Sequence, residues 1–393
     1  MRRICVLFFS LIAASCASME QEPAHSVAAQ AAAQACDQDH VLIGEASDHG
    51  RGATLAVKSE LVRRLIEDCG YNVLLFESGY YDFARILLER SGGVEASPEQ
   101  VASSIGGIWN RYAEVADLVP FLTGRINGGA LMVGGLDFNL GSAGAFYSID
   151  AMPADLAALV DGEAAAHCEH TLRRLIYMSY GAQGPQPTDI QDVLACTSLM
   201  DAAIEAGHRS DLEGQVMRRL LVNVEAYASA LTAPREQRLQ ARETAFWDNF
   251  LWWRSQAGAD AKIIVWGASV HVAQSPPGNG LFQDIDTFGE RVARSFPDRS
   301  HFVNFVSVSG FYRFLDRAVE QIPPPPPSSV EAQMSDVGRD IYLDPQAVAA
   351  LGERPSTVFS VTPVTAPLAS ITDGLIVIAR ERPPVLLDRS EAP

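Results

Sequence analysis

Short apolar runs that end in an ionisable side chain recur along this chain, separated by segments with helical spacing. His40 to Gly44 reads HVLIG and is followed by Glu45 and His49, and Asn72 to Phe76 reads NVLLF and is followed by Glu77. Ala130 to Leu136 leads to Asp137, and Lys262 to Gly267 leads to His271. Runs of this length and content predict strands. Between the first two, Leu55, Leu61, Val62, Leu65 and Ile66 fall at the intervals of one helix face. Pro98 to Ile126 also reads as helical, with its proline suited to a first turn, and His301 to Val308 and Gly374 to Ala379 read as later strands.

From about Ile149 to Arg242 the strand signal disappears, and Ala/Leu-rich segments at Ala154 to Leu175, Ile190 to Ala206 and Asp211 to Leu231 predict helices. The expected fold is α/β: a mainly parallel sheet flanked by helices, with an inserted all-helical subdomain. Residues 36–148 and 243–393 would form the core, and residues 149–242 the insert. The Ala/Gln-rich stretch at 18–35 reads as a flexible tether. Pro323 to Pro327 can enter neither a helix nor a central strand and marks a stiff extended segment.

The strand ends matter because a parallel sheet brings all its carboxyl ends to one edge, where such folds bind ligands. Glu45, His49, Glu77, Asp137 and His271 would then face one cleft. Each of these could instead cap the helix that follows its strand. Glu77 is the most telling, since a carboxylate at the end of a wholly apolar strand must be paired or functional if it is buried.

Other chemical signatures are weaker. Gly267 to His271 resembles a nucleophile elbow built on Ser269, but histidine replaces the closing glycine. His167 and His170 flank Cys168 at a spacing that could serve a metal or a plain surface helix. The chain lacks a dinucleotide-binding glycine fingerprint, a P-loop and an HExxH pair.

The 393 residues include 30 Lys and Arg against 48 Asp and Glu, a net charge of -18. So acidic a surface repels phosphate, which makes nucleic acid and anionic lipid poor partners. It admits a neutral or cationic small molecule more easily. At the amino end Arg2 and Arg3 precede an apolar run from Ile4 to Ile12 and then Ala13-Ala14-Ser15-Cys16-Ala17. This is the pattern of a signal peptide over residues 1–17, with Cys16 placed as in a lipoprotein signal. It predicts an exported protein, periplasmic or lipid-anchored to the outer membrane through Cys16. Cys36, Cys69, Cys168 and Cys196 would remain, an even number suited to disulfides; pairing 36 with 69 and 168 with 196 is the most local arrangement.

Gly44-Glu45-Ala46-Ser47-Asp48-His49-Gly50, with Glu77 at the next strand end, resembles the erythromycin esterase family, whose first loop reads Gly-Glu-x-Thr-His-Gly. Trp109-Asn110-Arg111 with Glu114, Gly134 to Asp137, Arg242-Glu243 with Asn249, and Trp266 to Ala273 are similar, in order, to that family's later motifs. The chain departs from the pattern in places. Its first loop carries one extra residue, Ala53 stands where the family has Glu, Lys58 where it has Arg, and Ala268-Ser269 where it has His-Asn.

The resemblance implies cleavage of an ester or lactone, macrolide lactones being the known substrates of the family's resistance members. On that reading His49 is the general base that activates water, and Glu45 or Glu77 orients it. Lys58 and His271 would stabilise the oxyanion, and Asp137, Trp109 and Arg111 would contact substrate. This scheme needs no cofactor and no metal. Two other readings stay open: a haem- or small-ligand-binding lipoprotein of the same superfamily, and a metal-dependent peptidase.

Overall fold

The structure is a computed structural model, and it describes residues 26–140, 149–207, 210–274 and 284–387. The signal segment and Cys16 lie outside the described residues. Seven strands form the main sheet: β1 (His40–Glu45), β2 (Val73–Gly79), β3 (Met132–Asp137), β4 (Ile263–Ala268), β5 (Ser300–Ser307), β6 (Ile341–Leu343) and β7 (Gly374–Ile378). Their order is β3-β2-β4-β1-β5-β7-β6, every pairing parallel except that of the edge strand β6. The central strands are apolar because helices cover both faces. Every residue of β1 and β4 is buried, which their Val/Ile-rich sequences suit.

Helix Gly52–Glu67 follows β1 and buries Leu55, Lys58, Leu61, Val62, Leu65 and Ile66 on one face. Lys58 is thus a charged residue on an apolar stripe, fully buried. Arg51 at the start of this helix makes no side-chain cap. Glu381, distant in sequence, does so instead: its carboxylate accepts from the N–H groups of Ala53 at 3.0 Å and Thr54 at 3.2 Å. A carboxylate here meets the positive end of the helix dipole and satisfies N–H groups that have no intrahelical partner.

Gly44 lets the short helix Ser269–Val272 settle on the sheet just beyond β4. A side chain at this position would put its first carbon 2.2 Å from Asn304 Oδ1 and 2.9 Å from Ser269 Cα. No larger residue fits without moving the segment that carries His271.

Two expectations need correction. The last part of the expected tether is a helix, Val27–Ala35, which buries Ala28, Ala31, Ala32 and Ala35 against helix Gly52–Glu67. Small side chains allow that close approach; low complexity here marks tight packing. Cys36–Cys69 fastens its end, and Cys168–Cys196 joins helices Gly162–Ile176 and Pro187–Ala206, so both bonds follow the local pairing.

The boundary placed at 242 falls inside a single helix, Arg235–Ala257. This helix runs from the insert onto β3, where Trp253 donates to the Gly135 carbonyl at 2.9 Å. One apolar cluster extends from the sheet into helices Gly162–Ile176, Pro187–Ala206 and Leu212–Leu231. Among the described residues no helix is long and apolar enough to cross a membrane.

Candidate active site

The ends of β1, β2, β3 and β4, with the segments that follow β1 and β4 and helix Arg235–Ala257, build two adjoining clusters. Glu45 is the last residue of β1, and three donors converge on its buried carboxylate. Trp109 Nε1 lies 2.6 Å from Oε1, His49 Nδ1 lies 2.9 Å from the same oxygen, and Lys58 Nζ lies 3.1 Å from Oε2. Burial alone would raise the Glu45 carboxyl, but Lys58, then His49 and Trp109, outweigh it and hold the group below the ordinary carboxylate range. Glu45 is therefore an anion that can only accept. The hydrogen on the His49–Glu45 bond is thus the one on His49 Nδ1, so that in the neutral imidazole the lone pair is on Nε2.

The loop holds His49 in an unusual backbone conformation, with φ of 50°. Its N–H donates to Ala46 O at 3.0 Å, and Asp48 turns the chain by accepting from Gly50 N at 3.2 Å. Arg51 grips Asp48 through two nitrogens, at 3.0 and 2.8 Å. Asp48 thus has a partner that fixes the turn.

The second cluster centres on Arg242. Its Nη2 lies 2.6 Å from Asp137 Oδ2 and 2.9 Å from Glu77 Oε1, and its Nε lies 3.1 Å from Asp137 Oδ2. His271 donates from Nδ1 to Glu243, which also accepts from Phe288 N at 2.8 Å. His271 Nε2 stands between Arg242 Nη1 at 3.0 Å and Glu77 Oε1 at 3.4 Å, so it can accept from one or donate to the other.

Burial works against the charge of Glu77, yet His271, Arg242 and His49, helped by the Ala268 N–H, pull its carboxyl down to about 2. Burial likewise opposes protonation of His271; Glu243 and Glu77 reverse that and raise it above the ordinary imidazole value.

One peptide unit ties the clusters together. The Gly267 carbonyl accepts from Lys58 at 3.0 Å, while the Ala268 N–H donates to Glu77 Oε2 at 2.7 Å. These are the two ends of the same amide.

Glu45, His49, Lys58 and Trp109 therefore meet in the first cluster, and Glu77, Asp137 and His271 in the second. Arg111 joins neither. It forms a two-pronged pair with Asp316, both contacts at 2.9 Å. Trp109 and Asp137 are buried behind the groups they bond. Lys58 has no face toward solvent, its ammonium being spent on Glu45, Gly267 O and the Trp266 ring at 4.4 Å.

Ser269 is buried, and among the described residues no base bonds its hydroxyl, so the nucleophile elbow gains no support. His167 and His170 are exposed, and Cys168 is committed to its disulfide. Arg242 and Glu243 belong to the site although sequence reasoning gave them no role. The available signals were their place in the family-like motif with Asn249 and the register of Glu243 with Phe246, Phe250 and Trp253 on the buried face of its helix.

The erythromycin esterase family model matches residues 66–380. The chain belongs to the erythromycin esterase family. Membership supports a hydrolase of that type. Three solved structures share its fold. A Bacillus cereus protein is 17% identical with a TM-score of 0.69, covering 90% of this chain and 91% of its own. A succinoglycan biosynthesis protein is 16% identical at 0.65, over 88% and 89%. A mutant of the erythromycin esterase EreC in its open conformation is 13% identical at 0.65, over 91% and 94%. At these identities the likeness to the solved structures concerns the fold. No curated protein sequence matches the chain.

Proposed function

We propose that the protein is an exported hydrolase that cleaves an ester or lactone with water activated by His49, without a metal. The observation that carries this reading is the dyad at the end of β1, a histidine whose Nδ1 is held by an ionised, buried Glu45 and whose ring remains 11% exposed. That geometry leaves Nε2 free to take a proton from water as the oxygen attacks the carbonyl carbon. When the tetrahedral intermediate collapses, the same proton passes to the departing alkoxide. Ester and water become acid and alcohol, and His49 returns to its starting form. A base so placed contributes on the order of 10² to 10⁴ in rate.

Lys58 and Trp109 serve this dyad indirectly, by fixing the carboxylate that fixes the imidazole. Two disulfides, which persist in oxidising compartments, support export, with Cys16 as the point of any lipid anchor. A panel of esters and lactones, macrolides included, tests the function on wild type and His49→Ala, with and without chelator. Hydrolysis that survives chelation and vanishes in folded His49→Ala is expected. Turnover of no member, or loss on chelation, would refute it.

A further inference from the structure

The cation that meets the substrate is a separate matter from the base, and the structure separates the candidates by exposure. Lys58 is fully buried and His271 is 4% exposed, whereas the Arg242 side chain is 24% exposed. Arg242 has five N–H groups. Nε and one N–H of Nη2 go to Asp137, the other of Nη2 goes to Glu77, and one N–H of Nη1 points at His271 Nε2. The second N–H of Nη1 has no partner among the described residues.

We propose that Arg242 is the oxyanion donor of this site, presenting its free Nη1–H to the carbonyl oxygen of the bound ester. The inference rests on the hydrolytic reading above. As water adds to the carbonyl carbon, the π pair moves to that oxygen. The new charge then meets a guanidinium already held in place by Asp137 and Glu77. Such a donor acts with little reorganisation, because its ion pairs fix it before substrate arrives. The arrangement also explains the three carboxylates around one arginine: Asp137 and Glu77 grip two of its edges, and Glu243 orients the histidine that meets the third. Lys58 and His271 then act through their neighbours.

Arg242→Lys keeps the charge but loses the two-pronged geometry, and Arg242→Gln removes the charge. Both are compared with wild type for p-nitrophenyl acetate hydrolysis and, by calorimetry, for binding of mono-p-nitrophenyl methylphosphonate, an anionic tetrahedral mimic. Circular dichroism checks folding. The expected result is a fall in kcat of about 10² to 10³ with KM changed less than about threefold. Phosphonate affinity should fall in parallel with kcat.

Unchanged kcat and phosphonate affinity in folded Arg242→Lys would overturn the assignment, as would an equal loss in KM and kcat. The phosphonate titration also reads the claim if wild type hydrolyses no ester. In that case the hydrolytic reading fails, and equal binding by wild type and variants, or none by either, rejects Arg242 as well.

Discussion

The two clusters use the same kinds of residue in opposite placements. At the end of β1 the cation, Lys58, is buried and the histidine, His49, reaches the surface; around helix Arg235–Ala257 the histidine, His271, is buried and the cation, Arg242, reaches the surface. The outer members are both held by buried carboxylates, His49 by Glu45 and Arg242 by Asp137 and Glu77. Neither residue type nor strand-end position decides which group reaches the surface. The packing of the following helix does, since Lys58 lies on an apolar stripe and Arg242 at the edge of one.

Removing a buried cation should do the most damage to the fold. Lys58→Met leaves Glu45 charged, buried and without its main counter-ion, and a loss of about 3 to 5 kcal/mol in unfolding free energy is expected. Denaturant titration measures it. A loss below about 1 kcal/mol would mean that Lys58 is not what holds Glu45.

Acid comes next. The Glu77 carboxyl is held down to about 2 in the fold, below the ordinary value of about 4.3 for the unfolded chain. A depressed carboxylate stabilises above its unfolded value, and that contribution is lost as pH falls toward its folded value. Stability should therefore drop between about pH 4.5 and 2, by on the order of 3 kcal/mol from this group. In Glu77→Gln the acid loss should be correspondingly shallower, as melting curves across that range will show.

The smallest effect belongs to Arg111, whose pair with Asp316 is at the surface, the Asp316 side chain being 64% exposed. Arg111→Ala should cost no more than about 1 kcal/mol and leave kcat/KM within about twofold. A larger kinetic loss would bring Arg111 back to the site.

Much of this was legible in sequence, for a definite reason. Glu45, His49, Glu77, Asp137 and His271 stand where apolar strands stop, and a parallel sheet gathers those ends. Arg242 and Glu243 lack that signature because they lie in mid-helix, at the expected boundary between insert and core. Their motif marked them as family-like, but their roles come from how the helix crosses β3, which the motif alone does not report. The role of Trp109 was likewise hidden, since its partner is distant in sequence, whereas the helical spacing of Leu55, Leu61, Val62 and Leu65 already put Lys58 on the buried face. Helix Val27–Ala35 was masked by its own composition: alanine repeats read as a linker until the disulfide at Cys36 and the groove they fill are seen.

The central claim is that His49, held by Glu45, takes the proton from water. The most direct test is the pH dependence of kcat/KM for the best ester of the panel, in wild type and in folded His49→Ala. The account predicts that the wild-type rate rises as one group loses its proton, and that His49→Ala loses this rise together with at least about 10² of the rate. A folded His49→Ala with the wild-type rate and the wild-type pH profile would contradict it.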